Sequence, residues 1–402
     1  MNELFYITLS FVISLVISVK TIPSVINISH SLKLFDRPNA RSAAIHVVPT
    51  LGGIAIFLGF VFGITLPGNG YILPGLRFIV AAVIIMFFVG LKDDIVDISP
   101  WKKMAAQFVA ALIIIVLAKY RFTNLHGFLG ISEISYFWSL LLTTFVMIVF
   151  INAFNLIDGI DGLAAGLSIL ASSIFGVWFY LNGHFEYSIL AFALIGALVG
   201  FFFYNVYGTK HKIFMGDTGS LILGLVISIL VIQFNELNID QTQPYAVASA
   251  PAVAFGILIY PLLDTIRVFT IRIMQKKSPF SPDKNHIHHR LLALGLSHKK
   301  ATYIILLINA LFIIPVFALQ NIGVFWLMVF NLVLSGILVM IPAIMIKQQQ
   351  LIKEDDPNQQ IIFLSPKLLR TTLNRESDIN QPFPARVKLK HFKTQLQRFN
   401  LW

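Results

Sequence analysis

The stretch VAAVIIMFFVGLKDDIVDISPWKKMAAQFVAALIIIVLAKY, residues 80–120, carries the main clue to the fold. Two apolar runs enclose a short segment, 92–103, holding three aspartates and three lysines. A helix needs roughly 20 mostly apolar residues to cross about 30 Å of hydrocarbon. Outward from this stretch, runs of that kind recur near 4–27, 51–67, 71–91, 104–119, 136–154, 162–181, 187–206, 219–234, 246–266, 301–319 and 322–346. The composition agrees, with 57% hydrophobic and only 12% charged residues, where a soluble domain carries about a quarter charged. The expectation is an all-α polytopic membrane protein with about eleven transmembrane helices. The first segment, MNELFYITLSFVISLVISVK, has an acidic Glu3, no basic leader and no small-residue cleavage site, so it reads as a retained span. With no cysteine in the chain, a disulfide framework or thiolate metal site is excluded.

The net charge of +11 finds its explanation in topology. Eleven spans make the loops alternate sides. The set comprising 29–50, 92–103, 155–161, 207–218, 273–300 and the tail from 347 holds 24 of the 30 Lys and Arg residues. The opposite set has little beyond Lys119 and Arg121. Basic residues stay cytoplasmic, which places the N-terminus outside and the C-terminus in the cytoplasm. Membrane lipids and phosphates are then the natural partners of the charge, and nucleic acid is not. The expected organisation is a transmembrane domain over 1–346 with cytoplasmic loops, followed by a basic cytoplasmic tail over 347–402.

Every unusual polar cluster falls on that same side. In LKDDIVDISPWKK, Asp93 and Asp94 repel one another, and a divalent cation or a proton relieves the repulsion. Oxygen ligands without sulfur suit Mg²⁺ or Mn²⁺ rather than Zn²⁺. The plain alternative is a solvated turn, with Asp97 capping a helix that begins near Ser99-Pro100. In NAFNLIDGIDGLAAG, Asp158 and Asp161 are three apart and would share a face on helical geometry; Asp161 could equally cap the next span. Asn152 and Asn155 would need partners in hydrocarbon. In KIFMGDTGS, Gly216 and Gly219 flank Asp217, where Thr218 and Ser220 can donate to phosphate or simply cap a helix. The fourth cluster, His286, His288, His289 and Arg290 in HIHHR, suits an anion or sugar better than a metal, since no second soft cluster completes a tetrahedral site.

Together and in this order, these clusters resemble the polyprenyl-phosphate N-acetylhexosamine-1-phosphate transferase family. The resemblance covers about residues 1–345 and rests on Asp93-Asp94-x-x-Asp97, Asn155-x-x-Asp158-Gly-x-Asp161-Gly, Gly216-Asp217-x-Gly219-Ser220 and His286-x-His288-His289-Arg290. PLLDTIRV at 261–268 and SPFSPDKNH at 278–286 look similar too. HxHHR is similar to the branch that uses UDP-GlcNAc or a related UDP-HexNAc, whereas the peptidoglycan branch, using UDP-MurNAc-pentapeptide, usually shows a plain run of histidines. Two departures stand out. Ala44 occupies the place of an expected histidine, with His46 two positions later, and NVYGTKHKIFMGD is two residues longer than usual and lacks a proline.

The resemblance implies transfer of HexNAc-1-phosphate, with GlcNAc-1-phosphate the first choice, from a UDP-sugar to undecaprenyl phosphate at a bacterial inner membrane. An oxygen of the lipid phosphate would attack the β-phosphorus and release UMP. It further implies Mg²⁺, or Mn²⁺, held by Asp217 and Asn155, with the uridine side around Asp158, Asp161 and Phe214. Asn205 also belongs to the substrate side, and HIHHR to the sugar and phosphate. Asp93 and Asp94 are the catalytic candidates facing the lipid phosphate, and Lys103, one turn before Gln107, is a phosphate contact or a snorkelling boundary lysine. A phosphate monoester is already largely dianionic at pH 7, so Asp93 is expected to act through the metal or through protons at lower pH. An intramembrane Mg-dependent prenyltransferase would explain DDIVD and DGID but gives FMGDTGS and HIHHR no task. A transporter would place ionisable groups at the midplane rather than at one face. The tail repeats Leu389, Phe392, Leu396 and Phe399 at spacings of three and four, as an amphipathic helix on anionic lipid would; packing on a partner or on a second copy, as a homodimer, would use the same stripe, and the plain alternative is a solvated tail with chance periodicity.

Overall fold

The computed structural model describes residues 3–32, 34–36, 48–67, 73–209, 211–277 and 285–355. The calls on Ala44, His46, SPFSPDK and the tail stripe fall outside them. The chain divides into Met1–Ile346 and Lys347–Trp402. In chain order the helices are α1 (Glu3–Leu32), α2 (Gly52–Thr65), α3 (Leu76–Ile95), α4 (Pro100–Leu112), α5 (Tyr136–Ile157), α6 (Leu163–Leu181), α7 (Phe185–Tyr207), α8 (Gly216–Leu237), α9 (Ala250–Ile257), α10 (Ile259–Met274), α11 (Ile287–Ala293), α12 (His298–Ala318) and α13 (Val324–Asp355). Two short antiparallel pairs accompany them, β1 (Phe35–Asp36) with β2 (Val48–Pro49), and β3 (Asn124–Phe128) with β4 (Ile131–Glu133).

The protein is thus an all-α polytopic membrane protein. Among the described residues, a helix falls within each of the eleven apolar segments. Eight helices are long and apolar enough to cross a membrane, and nine if α9 and α10 count as one broken span. The remaining two segments are α2, only 14 residues long, and α3, whose last turns carry Lys92, Asp93 and Asp94. α8 lies at the centre, with 89% of its apolar window buried, and α2, α3, α5 and α6 pack around it.

Lipid tails are as apolar as leucine, so helices in a membrane associate through close packing and polar contacts. α1 shows both. Ser10 and Ser18 donate to Gly63 O and Ala197 O, each at 2.8 Å. Gly63 gives α2 room against Ser14, whose Oγ would lie 1.8 Å from a Cβ there. The break between α9 and α10 turns the chain by 81°. Pro261 has no N–H to give the carbonyl of Ile257 four residues earlier. Asn309 of α12 takes that carbonyl at 2.9 Å and accepts from Tyr260 N at 3.4 Å. The loosened backbone is therefore satisfied inside protein, as a membrane interior requires.

Candidate active site

The start of α8 is the anchor. Phe214 N donates to Pro49 O, while Gly52 N and Gly53 N donate to Phe214 O and Met215 O, at 2.8–2.9 Å. The FMGD segment is therefore strapped to the strand leading into α2. Gly90 of α3 allows backbone approach, since a Cβ there would meet Thr218 Cα at 2.4 Å. That approach lets the Asp94 carboxylate accept from Asp217 N at 2.7 Å, Thr218 N at 3.0 Å and Thr218 Oγ1 at 2.5 Å. Both of its oxygens are occupied with the first turn of α8, so Asp94 positions its neighbour Asp217.

Asp93, one residue earlier, faces a different way. Its Oδ1 accepts from Ile98 N at 2.8 Å, and its Oδ2 lies 3.1 Å from Lys103 Nζ. Lys103 also donates to Asn155 Oδ1 at 3.3 Å and Asp217 Oδ2 at 2.6 Å. Asn155 Nδ2 meets Asp217 Oδ1 and Ser220 Oγ. Residues from α3, α4, α5 and α8 thus close on one ammonium group. Asp97 does not cap α4: Ser99 stands at its N-cap and Pro100 at its first position. Asn152 is paired in the apolar region, giving a hydrogen bond of 2.8 Å to Gln107 Oε1.

This cluster is crowded with negative charge. Burial, and then the hydrogen bond with Asp217, pushes the Asp93 carboxyl up to about 6. Burial likewise pushes Asp94 up to about 7. Asp158 is held well above the usual carboxylate range by burial and by its neighbours Asp217, Asp94 and Asp161. Such shifts mark a place where charge is to be met by something else.

The expectation that Asp158 and Asp161 share a helical face does not hold. α5 ends at Ile157 and α6 begins at Leu163, so both aspartates lie in the connecting turn. Gly162 takes a left-handed conformation there, with φ 75°. Asp161 does not cap α6 either. Its Oδ2 pairs with Lys212 Nζ at 2.6 Å and His298 Nδ1 at 3.4 Å. Burial alone would raise Asp161, but hydrogen bonds from His298 and Lys212 hold it below the usual range. Its Oδ1 is buried without a partner. Asn205 accepts from Gly162 N at 2.6 Å and donates to Ile213 O at 2.8 Å, so it ties this turn to the FMGD segment. Lys212 Nζ lies 5.6 Å from the centre of the Phe214 ring.

HIHHR joins the same turn from the other side. Asp264 in α10 accepts from Ile287 N at 3.0 Å and Arg267 at 2.9 Å, and pairs with His286 Nδ1 at 2.7 Å. His288 presses its Nε2 against Gly159, within 2.5 Å of where a Cβ would stand. Both of its ring nitrogens are buried and unpartnered. Burial and then His289 push His288 down to about 3, so it is a neutral imidazole at neutral pH. The His286 and His288 rings stack at 5.3 Å, and His289 lies 4.4 Å from His288. Burial, then the charge of Arg267, also lowers Arg290. Asp264, His286 and His288 bring ligand-type atoms within 4.8 Å of one another. The Asp264 oxygens are already committed to three hydrogen bonds, which makes this carboxylate the anchor of the loop.

Four residues escaped the reading of the sequence: Asp264, Arg272, Lys212 as the partner of Asp161, and His298. Asp264 and Arg272 sit with Arg267 in a largely apolar stretch, PLLDTIRVFTIRI, and ionisable residues in such a stretch are the signal that was available. His298 gave none, since its contact is with a loop more than a hundred residues away.

A sequence profile for glycosyl transferase family 4 matches residues 76–235. The chain is 35% identical over 326 residues to the probable undecaprenyl-phosphate N-acetylglucosaminyl 1-phosphate transferase of Bacillus subtilis (strain 168), covering 81% of this chain and 87% of that protein. It is 32% identical over 287 residues to the undecaprenyl-phosphate alpha-N-acetylglucosaminyl 1-phosphate transferase of Salmonella typhi, covering 69% and 74%. With the protein of that name from Escherichia coli (strain K12) the identity is 31% over 293 residues, covering 71% and 76%.

Proposed function

The chain belongs to glycosyl transferase family 4, and on that premise we propose that it transfers GlcNAc-1-phosphate from UDP-GlcNAc to undecaprenyl phosphate and releases UMP. The relatives named above are transferases of that sugar phosphate to that lipid. The observation that carries the reading is the closure of Asp93, Asn155 and Asp217 on a single cationic position, beside a cavity of about 170 Å³ lined by Asp93, Lys103 and Asn155. A separate apolar groove of about 370 Å³ is lined on α5 and α10 by Val149, Leu262 and Ile266. A polar cavity together with an apolar groove suits a reaction between a soluble nucleotide and a lipid phosphate. A prenyltransferase leaves FMGDTGS and HIHHR idle, although both are built into this site.

Two carboxylates and an amide oxygen, all within 3.3 Å of the Lys103 ammonium, are a donor set that fits Mg²⁺ or Mn²⁺. Asp217 and Asn155 would hold the ion, which supplies charge neutralisation on the pyrophosphate. The protein's own residues do the positioning. Asp94 locks the first turn of α8 and so aims Asp217. Asp161 offers a buried carboxylate oxygen suited to the imide N–H of uracil, with Phe214 and Lys212 beside it. His288, neutral and unpartnered, presents ring nitrogens to the polar groups of the donor. Asp93 stands beside Lys103, where the lipid phosphate must arrive.

The finer topology belongs to this proposal: eleven membrane segments, an N-terminus outside, a cytoplasmic tail, and an active site open to the cytoplasm of a bacterial inner membrane. The concentration of Lys and Arg in alternate loops supports it. A donor panel of UDP-GlcNAc, UDP-GalNAc and UDP-MurNAc-pentapeptide, read by the mass of the lipid-linked product, tests the reading. GlcNAc-1-phosphate on the lipid is the expected product, and exclusive use of the pentapeptide donor would overturn it.

A further inference from the structure

Asp161 is held from one side only. Both partners of its carboxylate fall on the same oxygen: Lys212 Nζ lies 2.6 Å from Oδ2, and His298 Nδ1 lies 3.4 Å from it. Oδ1 is buried without a partner. A buried carboxylate oxygen left bare is costly, so the arrangement stands open to a ligand that brings a hydrogen. A third hold is on the backbone, where Thr302 Oγ1 donates to Asp161 O at 2.7 Å. His298 and Thr302 are four apart in α12 and share a face. Leu306, four further on, packs against Gly166, 2.7 Å from where a Cβ would stand. One face of α12 is therefore laid along residues 161–166, and its first residue reaches the carboxylate.

We infer that His298 is a positioning residue for the donor's base, turning the Asp161 carboxylate so that Oδ1 meets the imide N–H of uracil. The inference rests on the reading that Asp161 receives that base, and it names what aims the acceptor oxygen. The two partners of Oδ2 differ in stiffness. Lysine is a point charge on a flexible four-carbon stem, and Lys212 alone would let the carboxylate swing between its two oxygens. An imidazole turns about two side-chain bonds only. His298 is also fixed at a helix start, which Ser297 caps by accepting from Lys300 N at 3.4 Å. With Oδ2 taken from two sides, rotating the carboxylate breaks both contacts, and Oδ1 is the oxygen left to present. Burial raises Asp161, but hydrogen bonds from His298 and Lys212 hold it below the usual carboxylate range. It therefore stays a pure acceptor and suits a base that carries an N–H. Thr302 and Leu306 do the packing of α12 on this turn. The His298 side chain, 21% exposed, stands at the edge of that contact.

The test uses the full chain in detergent and two probes, UMP and N3-methyl-UMP, which lacks the imide hydrogen. Calorimetric titration gives their affinities without turnover. The wild type should prefer UMP by roughly 10- to 100-fold, the range of a hydrogen bond to a charged group. His298→Leu should shrink that preference roughly 3- to 10-fold and raise the donor KM by a similar factor, with the acceptor KM unchanged. His298→Asn, which keeps an N–H near the place of Nδ1, should recover most of the preference. If the leucine variant does not fold, His298→Ala is read by the same ratio. An undiminished preference in the variant, or an equal loss of affinity for both nucleotides, overturns the role of His298 while the uracil reading stands. A wild type that binds the two nucleotides alike overturns the uracil reading and this inference with it.

Discussion

Gly216→Ala is the sharpest probe of how Asp217 is placed. Gly216 opens α8 with φ 71°, and a Cβ there would lie 2.3 Å from Thr50 O and 2.6 Å from both Asp94 carboxylate oxygens. The left-handed conformation costs an alanine about 1–2 kcal/mol, and the overlap adds about 1–3 kcal/mol. The variant should therefore lose roughly 2–5 kcal/mol of stability. To reach ordinary contact the methyl group must retreat by roughly 1 Å. What can yield is the Asp94 carboxylate or the first turn of α8, and either movement carries Asp217 with it. A misplacement of about 1 Å at reacting groups can lower a rate about 100-fold. Gly130→Ala is the control, because Gly130 has φ 81° but nothing within 4 Å of its Cβ position. It should show the conformational penalty alone. Thermal unfolding in detergent and UMP release per folded protein make the comparison. Equal losses in the two variants, or wild-type turnover in Gly216→Ala, would refute the claim that Asp94 and this glycine aim Asp217.

Other outcomes follow from the same geometry. Asp217→Asn and Asp93→Asn should each lower UMP release by about 10²–10³-fold or more while eluting as folded protein, and near wild-type turnover in either removes that residue from the chemistry. Chelation should stop turnover, with Mg²⁺ or Mn²⁺ restoring it; a rate indifferent to the chelator rules out the cation assigned to Asp217 and Asn155. Asn205→Ala breaks two buried hydrogen bonds, so it should cost about 1–3 kcal/mol and raise the donor KM, and a fully stable variant would show that the two loops are held by other contacts.

Much of the architecture was legible because hydrocarbon imposes a simple code, in which long apolar runs are helices. The convergence of the four polar clusters was legible too, since residues so costly in lipid need one another. Partner assignments were not. Nothing local separates Asp93 from Asp94, yet one faces Lys103 and the other holds a helix start 123 residues away. The helical reading of Asp158 and Asp161 failed because α5 stops at Ile157 and α6 starts only at Leu163, which leaves both aspartates in the turn between them. Arg272 was missed because an arginine in the last turn of an apolar helix looks like a boundary residue, whereas in the structure it is buried.

The lock between Asp94 and α8 has a consequence for nucleotide affinity. Many phosphate sites use the bare amide hydrogens at a helix start as an anion cradle. Here Asp94 already fills that seat, taking the amides of Asp217 and Thr218. The helix end is therefore spent on rigidity, and its partial positive charge is cancelled from within the protein. If the proposed nucleotide binds here, affinity for its pyrophosphate would have to come from side-chain cations and from the ion that accompanies it. Under that proposal the site should discriminate sharply against a nucleotide stripped of its counter-ion, and its occupancy would follow divalent-ion supply as much as sugar-nucleotide supply.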